Sequence, residues 1–185
     1  MPIVSIEGLD LAGKTTLINL LKERKPFPEA KFFKVPSQKI EFYDKMTKTE
    51  RKEYIINEID NINKEEGLVI TDRGLLSLLA YESCSFRAIN TFLKREIRLP
   101  DIIIFLHVQY KTVVSRIKTR RSSELTKKDL ELLDNKHYVS MVSKFDSRYF
   151  DKTLENVFKV QLNTSENSIE KIYNNVVKII KEKIR

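Results

Sequence analysis

The sequence predicts an α/β fold in which a five-stranded parallel sheet is flanked by helices on both faces and completed by a short lid. Three observations predict it. Short apolar β-like runs alternate with longer helical patterns along the chain, the order expected when helices cover a parallel sheet. The first run leads straight into a glycine-bearing loop, Gly8-Leu9-Asp10-Leu11-Ala12-Gly13-Lys14-Thr15, and a helical pattern follows that loop at once. The runs at 3–6, 68–72 and 102–106 are apolar almost throughout, as strands buried on both faces are.

Each element follows in order. Residues 3–6 form the first strand, and 14–23 form a helix with Leu17, Leu20 and Leu21 at helical spacing. Residues 31–35 are a second strand, ended by Pro36. Thr47-Lys48-Thr49-Glu50 has the form of a capping box and opens a helix running to about 64. Gly67 breaks that pattern before the buried strand 68–72. Residues 75–81 and 86–97 are helical, in two pieces, and Pro100 precedes the strand 102–106. A helix over 111–119 is interrupted by polar residues 120–125, after which Thr126-Lys127-Lys128-Asp129 caps a helix reaching Phe145. Residues 157–162 supply the fifth strand. Asn167-Ser168-Ile169-Glu170 caps a last helix, whose Ile169, Ile172, Tyr173, Val176, Ile179 and Ile180 share a core-facing stripe.

With 185 residues and neither an internal repeat nor a linker, the chain reads as one domain over 1–185, its lid at about 116–126. The balance of 41% hydrophobic and 32% charged residues excludes a disordered chain. No apolar run approaches the roughly 18 residues of a membrane span. No secretory leader is recognisable, and the single cysteine, Cys84, excludes an intrachain disulfide, so the expected compartment is the cytoplasm. Cys84, with no histidine beside it in sequence, reads as inert. The net charge of +8 suits an anionic partner. The lysines are dispersed, which fits a solvated surface better than a nucleic-acid groove, so no nucleic acid and no membrane are expected as partners.

The loop Gly8 to Thr15 matches G-x-x-x-x-G-K-[ST], and the chemistry explains each fixed position. Glycines permit backbone angles and close approach that a side chain blocks. The loop N–H groups of Gly8, Leu9, Asp10, Leu11, Ala12, Gly13, Lys14, Thr15 and Thr16 then cradle phosphates, aided by the following helix terminus. Lys14 reaches the β and γ phosphates and the Thr15 hydroxyl holds Mg²⁺. The pattern arises by chance on the order of once in a hundred chains of this length, and here it also lies between a strand and a helix. ATP and Mg²⁺ are therefore the expected cofactors.

Three segments resemble the thymidylate kinase family of P-loop nucleoside monophosphate kinases. Ile6-Glu7-Gly8-Leu9-Asp10-Leu11-Ala12-Gly13-Lys14-Thr15-Thr16 is similar to its phosphate loop, Asp10 included. Asp72-Arg73-Gly74-Leu75-Leu76-Ser77-Leu78-Leu79-Ala80-Tyr81 is similar to its D-R-[YH]-x-x-S-x-x-A-Y-Q segment. Pro100-Asp101, the strand after it and a helix carrying Arg116, Arg120 and Arg121 resemble the strand and arginine-bearing lid. The resemblance implies transfer of the ATP γ-phosphoryl group to dTMP or a related deoxynucleoside monophosphate, and a homodimer. It implies that Asp10, Arg73, Ser77, Tyr81 and Glu82 form the acceptor site. It also implies a catalytic set of Lys14, Asp10, Arg73, Arg116, Arg120 and Arg121.

The residues support parts of this independently. Arg73 follows a strand's carboxyl end, where ligands bind in open α/β sheets, and its guanidinium can grip a phosphate bidentately. Asp72 beside it is placed to hold magnesium through water, joining Thr15 as the metal residues. Arg116 and Arg120, four apart, are expected on one helix face. Leu11 stands where some members carry a loop arginine, which directs attention to the lid.

The chain also departs from the pattern. Gly74 replaces an aromatic residue or histidine, which is expected to open space near the acceptor sugar. Glu82 replaces glutamine and only accepts hydrogen bonds. Residues 37–66 match poorly, with Arg51 a candidate base contact and Lys39 or Gln38 a candidate stand-in for an acceptor-phosphate arginine. Glu7 is read as loop support, and His107 and His137 as structural. Two other readings stay open from sequence, a deoxynucleoside kinase and a non-catalytic nucleotide-binding paralogue with a partner role.

Overall fold

Five parallel strands form one sheet in the order β2-β3-β1-β4-β5, with β1 (Ile3–Gly8) at its centre. The computed structural model describes residues 2–35, 45–120 and 127–184. β1, β3 (Val69–Asp72) and β4 (Ile102–His107) are buried almost throughout. The outer strands β2 (Lys31–Lys34) and β5 (Phe158–Asn163) are half-exposed and carry Lys31, Lys34 and Lys159, charges that discourage pairing with another sheet edge.

The helices form two groups. α1 (Lys14–Arg24) packs on α8 (Ile169–Lys183), while α3 (Leu75–Tyr81) packs on α2 (Lys48–Ile62) and α7 (Asn135–Tyr149). Leu17 and Leu21 of α1, with Ile172, Val176 and Ile180 of α8, lie in the core. The remaining helices are α4 (Phe86–Leu93), α5 (Tyr110–Thr119) and α6 (Lys127–Glu131).

Several expected ends are met by their caps. Thr47 and Glu50 form the reciprocal capping box, and Ser168 Oγ accepts from Lys171 N. Others shift. The helix expected over 86–97 stops at Leu93 because Lys94 turns left-handed, with φ 56°. The helix expected to run unbroken to Phe145 is two helices: α6 ends at Glu131, and Asp134 caps α7 through Lys136 N. The apolar stripe of Tyr138, Met141 and Phe145 belongs wholly to α7. The expected cap at Thr126 lies outside the described residues, as do Pro36, Gln38, Lys39 and Arg121.

The topology places the site. β1 is hydrogen-bonded to β3 on one side and β4 on the other. Its carboxyl end is thus flanked by Asp72-Arg73 and by Leu106-His107, at the sheet end where α/β proteins bind ligands.

Candidate active site

The phosphate loop joins β1 to α1 through three left-handed residues, Gly8 at φ 138°, Leu11 at φ 66° and Gly13 at φ 94°. Lys14 turns back across the loop, its Nζ donating to the carbonyls of Gly8 (2.8 Å) and Leu9 (2.7 Å). Burial, and then the positive charge of Arg73, push the Lys14 ammonium down to about 8, against the attraction of Asp10, Asp72 and Glu7.

That displacement has a measurable sign. Between about 8 and the ordinary 10.5, the unfolded chain binds a proton at Lys14 that the folded protein has released. Stability gains from this group as pH rises through that window, while below it the cost of burying the charge is fully present. Nucleotide phosphates beside the ammonium favour its charged form. ATP binding at pH 8 is therefore expected to take up about half a proton, and almost none at pH 6.5, as read by calorimetry in buffers of different ionisation enthalpy. An uptake of zero at pH 8, or one that survives Lys14→Met, would refute this.

The segment after β3 faces the same loop. Asp72 is buried at the strand end, and Val35 N donates to its carbonyl oxygen (3.1 Å). Arg73 is held left-handed at φ 73°, with its N–H on the Ile6 carbonyl (3.0 Å). An arginine in that conformation is a local cost of the kind concentrated at functional sites. Its guanidinium pairs with Asp10 of the phosphate loop, lies 5.0 Å from the centre of the Tyr81 ring, and approaches Ser77 Oγ at 3.5 Å. Tyr81 OH donates to the other Asp10 oxygen (3.3 Å), and the ring is braced edge-on against Phe145. Asp10, Arg73, Ser77 and Tyr81, 63 to 71 residues apart across the loop, thus form one cluster.

Glu7 does more than the sequence suggested. Its carboxylate is fully buried and accepts from Ser5 Oγ (2.9 Å), Ser77 Oγ (2.5 Å) and Leu76 N (3.2 Å). Burial pushes it above the usual carboxylate range, and the hydrogen bonds from Ser77 and Ser5 pull it back. The group bolts the first turn of α3, and with it Ser77, to the strand carrying the phosphate loop. The same contact corrects the reading of Gly74. A Cβ there would lie 2.6 Å from Ser5 Oγ and 3.2 Å from Glu7 Oε1. Gly74 therefore backs onto β1, and its missing side chain makes room for Glu7 rather than opening the acceptor site.

The lid arginines separate. Arg116 Nη1 donates to the Leu11 carbonyl (2.6 Å), and Nη2 to the Thr164 carbonyl (2.9 Å). It ties the strained turn of the phosphate loop to the segment following β5. Burial, then the neighbouring charge of Arg120, lower its pKa. Arg120 does not continue its helix face. α5 ends at Thr119, and Arg120 is exposed with extended backbone.

Beside Asp10 and Tyr81 lies a cavity of about 370 Å³, of the size that small-ligand sites have. α2 contributes Lys48 and Arg51, the end of α3 Glu82, and α6 with its following turn Glu131 and Leu132. α7 contributes His137, Met141 and Lys144. Arg51 and Glu82, the expected acceptor contacts, both line this cavity. His137, expected to be structural, lines the cavity. Spacings of four and three put His137, Met141 and Lys144 on one face, a pattern hidden in sequence by the core stripe beside it. Thr164 gave no sign of its role. Cys84 is buried, away from the cavity lining.

Among the described residues, no group of three His, Cys, Asp or Glu side chains could hold a metal by itself. Magnesium bound to nucleotide needs no such group, since phosphates and waters supply most of its ligands. Thr15, exposed on the first turn of α1, and Asp72 suit that part.

A phosphate loop facing a buried arginine, beside a cavity of small-ligand size, suits a kinase acting on a small acceptor. Comparison with known proteins makes this specific. The family model for thymidylate kinase matches residues 41–176. Thymidylate kinase of Helicobacter hepaticus (strain ATCC 51449 / 3B1) is 27% identical over 172 residues, covering 79% of this chain and 87% of that one. Among solved structures, thymidylate kinase from Candida albicans matches with a TM-score of 0.66 at 16% identity, over 98% of this chain and 91% of that one. Deoxyadenosine kinase from M. mycoides with bound dATP matches with a TM-score of 0.65 at 18% identity, over 97% and 99%. These two share the fold. The chain belongs to the thymidylate kinase family, and by class it is an ATP-dependent nucleoside monophosphate kinase.

Proposed function

We propose that the chain transfers the γ-phosphoryl group of ATP to the phosphate of dTMP or a related deoxynucleoside monophosphate. The bond from the γ-phosphorus to the β–γ bridging oxygen breaks, a bond to an acceptor phosphate oxygen forms, and ADP leaves. The observation that carries this reading is the buried Arg73 guanidinium, pinned by Asp10 between the donor loop and the acceptor cavity. A planar guanidinium fork suits bidentate binding of an acceptor phosphate.

Phosphoryl transfer needs in-line placement and neutralisation of spreading charge more than covalent help from the protein. Residues Gly8 to Thr16 hold the ATP phosphates, with Lys14 across them. Thr15, and Asp72 through water, would hold Mg²⁺, which would supply charge neutralisation at the nucleotide phosphates. Arg73 grips the acceptor phosphate, and Asp10 orients Arg73 towards that phosphate and holds Tyr81 beside it. Ser77 fixes the fork's near side, and Glu82 and Arg51 meet the base. Arg116 acts by holding Leu11 and the loop in shape, which leaves Arg120 and Arg121 as the lid cations that close over the transferred group.

We further propose a homodimer in the cytoplasm, the first testable by light scattering after gel filtration. For the reaction, the protein is incubated with ATP·Mg²⁺ and a panel of nucleosides and monophosphates, and diphosphate formation is followed. Turnover of monophosphates with none of the nucleosides is the expected result. Intact ATP binding without turnover of any monophosphate would favour a non-catalytic nucleotide-binding protein.

A further inference from the structure

Resting on the monophosphate kinase reading, we infer that the preferred acceptor carries a base with an exocyclic amino group, and that Glu82 selects it. Asp10, Arg73 and Tyr81 are joined to one another beside the donor loop, and on that reading they take the phosphate and sugar end of the acceptor. Glu82 is the next residue after Tyr81 and caps α3, its N–H on the Leu78 carbonyl (3.1 Å). Its backbone is therefore as fixed as the helix, and its side chain lines the same cavity as Arg51.

Carboxylate oxygens only accept hydrogen bonds, and guanidinium only donates. Thymine offers one N–H flanked by two carbonyl oxygens, so a carboxylate that takes the N–H is brought against an oxygen on either side. Adenine and cytosine set an amino donor beside a ring-nitrogen acceptor, which one carboxylate and one guanidinium can satisfy together. Guanine sets an N–H beside its amino group for the carboxylate, and its O6 and N7 match an arginine fork.

The rest of the wall carries separate donors and acceptors, Lys48, Lys144 and His137 among them, rather than amides. Glu131 adds a second carboxylate, and among the described lining residues there is no asparagine or glutamine. An amide, which donates and accepts from adjacent atoms, is the group that would complement thymine's alternating edge.

The test measures kcat/KM of the whole protein for dTMP, dCMP, dAMP and dGMP with ATP·Mg²⁺, together with calorimetric affinities for the same four. At least one amino-bearing acceptor is expected to exceed dTMP by about tenfold or more, the discrimination one good base contact supplies. Glu82→Gln is expected to move that ratio towards dTMP by a similar factor, and Glu82→Ala to flatten the four, each with an unchanged melting curve. A wild-type preference for dTMP, or a ratio unmoved by both substitutions, would overturn this inference and leave the kinase reading standing. No turnover of any monophosphate would overturn the kinase reading and this inference with it.

Discussion

Replacing Arg73 by alanine is expected to lower kcat/KM for the monophosphate by about a hundred- to a thousandfold, the equivalent of about 3–4 kcal/mol in the barrier. ATP affinity should stay within about threefold of the wild type, because Arg73 touches the loop only at the Asp10 side chain and leaves Lys14 and the loop amides in place. The guanidinium is a buried positive charge paired with Asp10 at the edge of the cavity, and its side chain is only 10% exposed. Removing it takes away the fork for the acceptor phosphate and leaves Asp10, a carboxylate, facing that phosphate instead. Asp10 is 26% exposed and keeps its bond to Tyr81, so water can reach it and the fold should survive. Arg73→Lys is the sharper control. A lysine keeps the charge but loses the planar pair of donors, and should recover only part of the loss. If Arg73→Ala weakened ATP and monophosphate equally, the separate acceptor role assigned to it would fall.

How much of this was legible beforehand depends on range. The central strands were readable because burial on both faces leaves a continuous apolar run, as in Ile102 to Leu106. The capping box at Thr47 was readable because its two hydrogen bonds join residues three apart. The phosphate loop is likewise a local device, complete within eight residues. The role of Glu7 was not, because its partners Leu76 and Ser77 lie 69 and 70 residues away. Gly74 was misread for the same reason. Its meaning is set by Ser5 and Glu7 on another strand, which no motif comparison contains. Arg116 was singled out as a lid arginine by its family position. What it touches, the carbonyls of Leu11 and Thr164, needed the sheet to bring three distant segments together.

The two glycines of the phosphate loop should fail differently when changed to alanine, because they are required for different reasons. Gly8 closes β1 directly opposite Leu106 of β4. A Cβ there would sit 2.4 Å from the Leu106 carbonyl oxygen, at φ 138° where L residues are strained. Leu106 is only 1% exposed on a strand packed between β1 and β5, so it cannot retreat without parting the sheet. Strain of about 1–3 kcal/mol plus the overlap with a main-chain atom puts the expected loss at about 3–5 kcal/mol. That corresponds to a fall in Tm of about 10 °C or more for a chain of this size. Gly13 also has a left-handed φ, at 94°, but a Cβ there meets nothing within 4 Å. Its alanine variant pays backbone strain alone, about 1–2 kcal/mol, and should lose a few degrees of Tm. The open space around that Cβ lies beside Lys14, at the turn where the loop meets phosphate, so the larger loss for Gly13→Ala should be in ATP affinity. Melting curves with and without ATP·Mg²⁺ separate the two. Gly8→Ala should melt early in both, and Gly13→Ala should melt near the wild type alone but gain little from nucleotide. A Gly8→Ala protein melting within about 2 °C of the wild type would mean that the β1–β4 contact yields far more easily than a packed central sheet should.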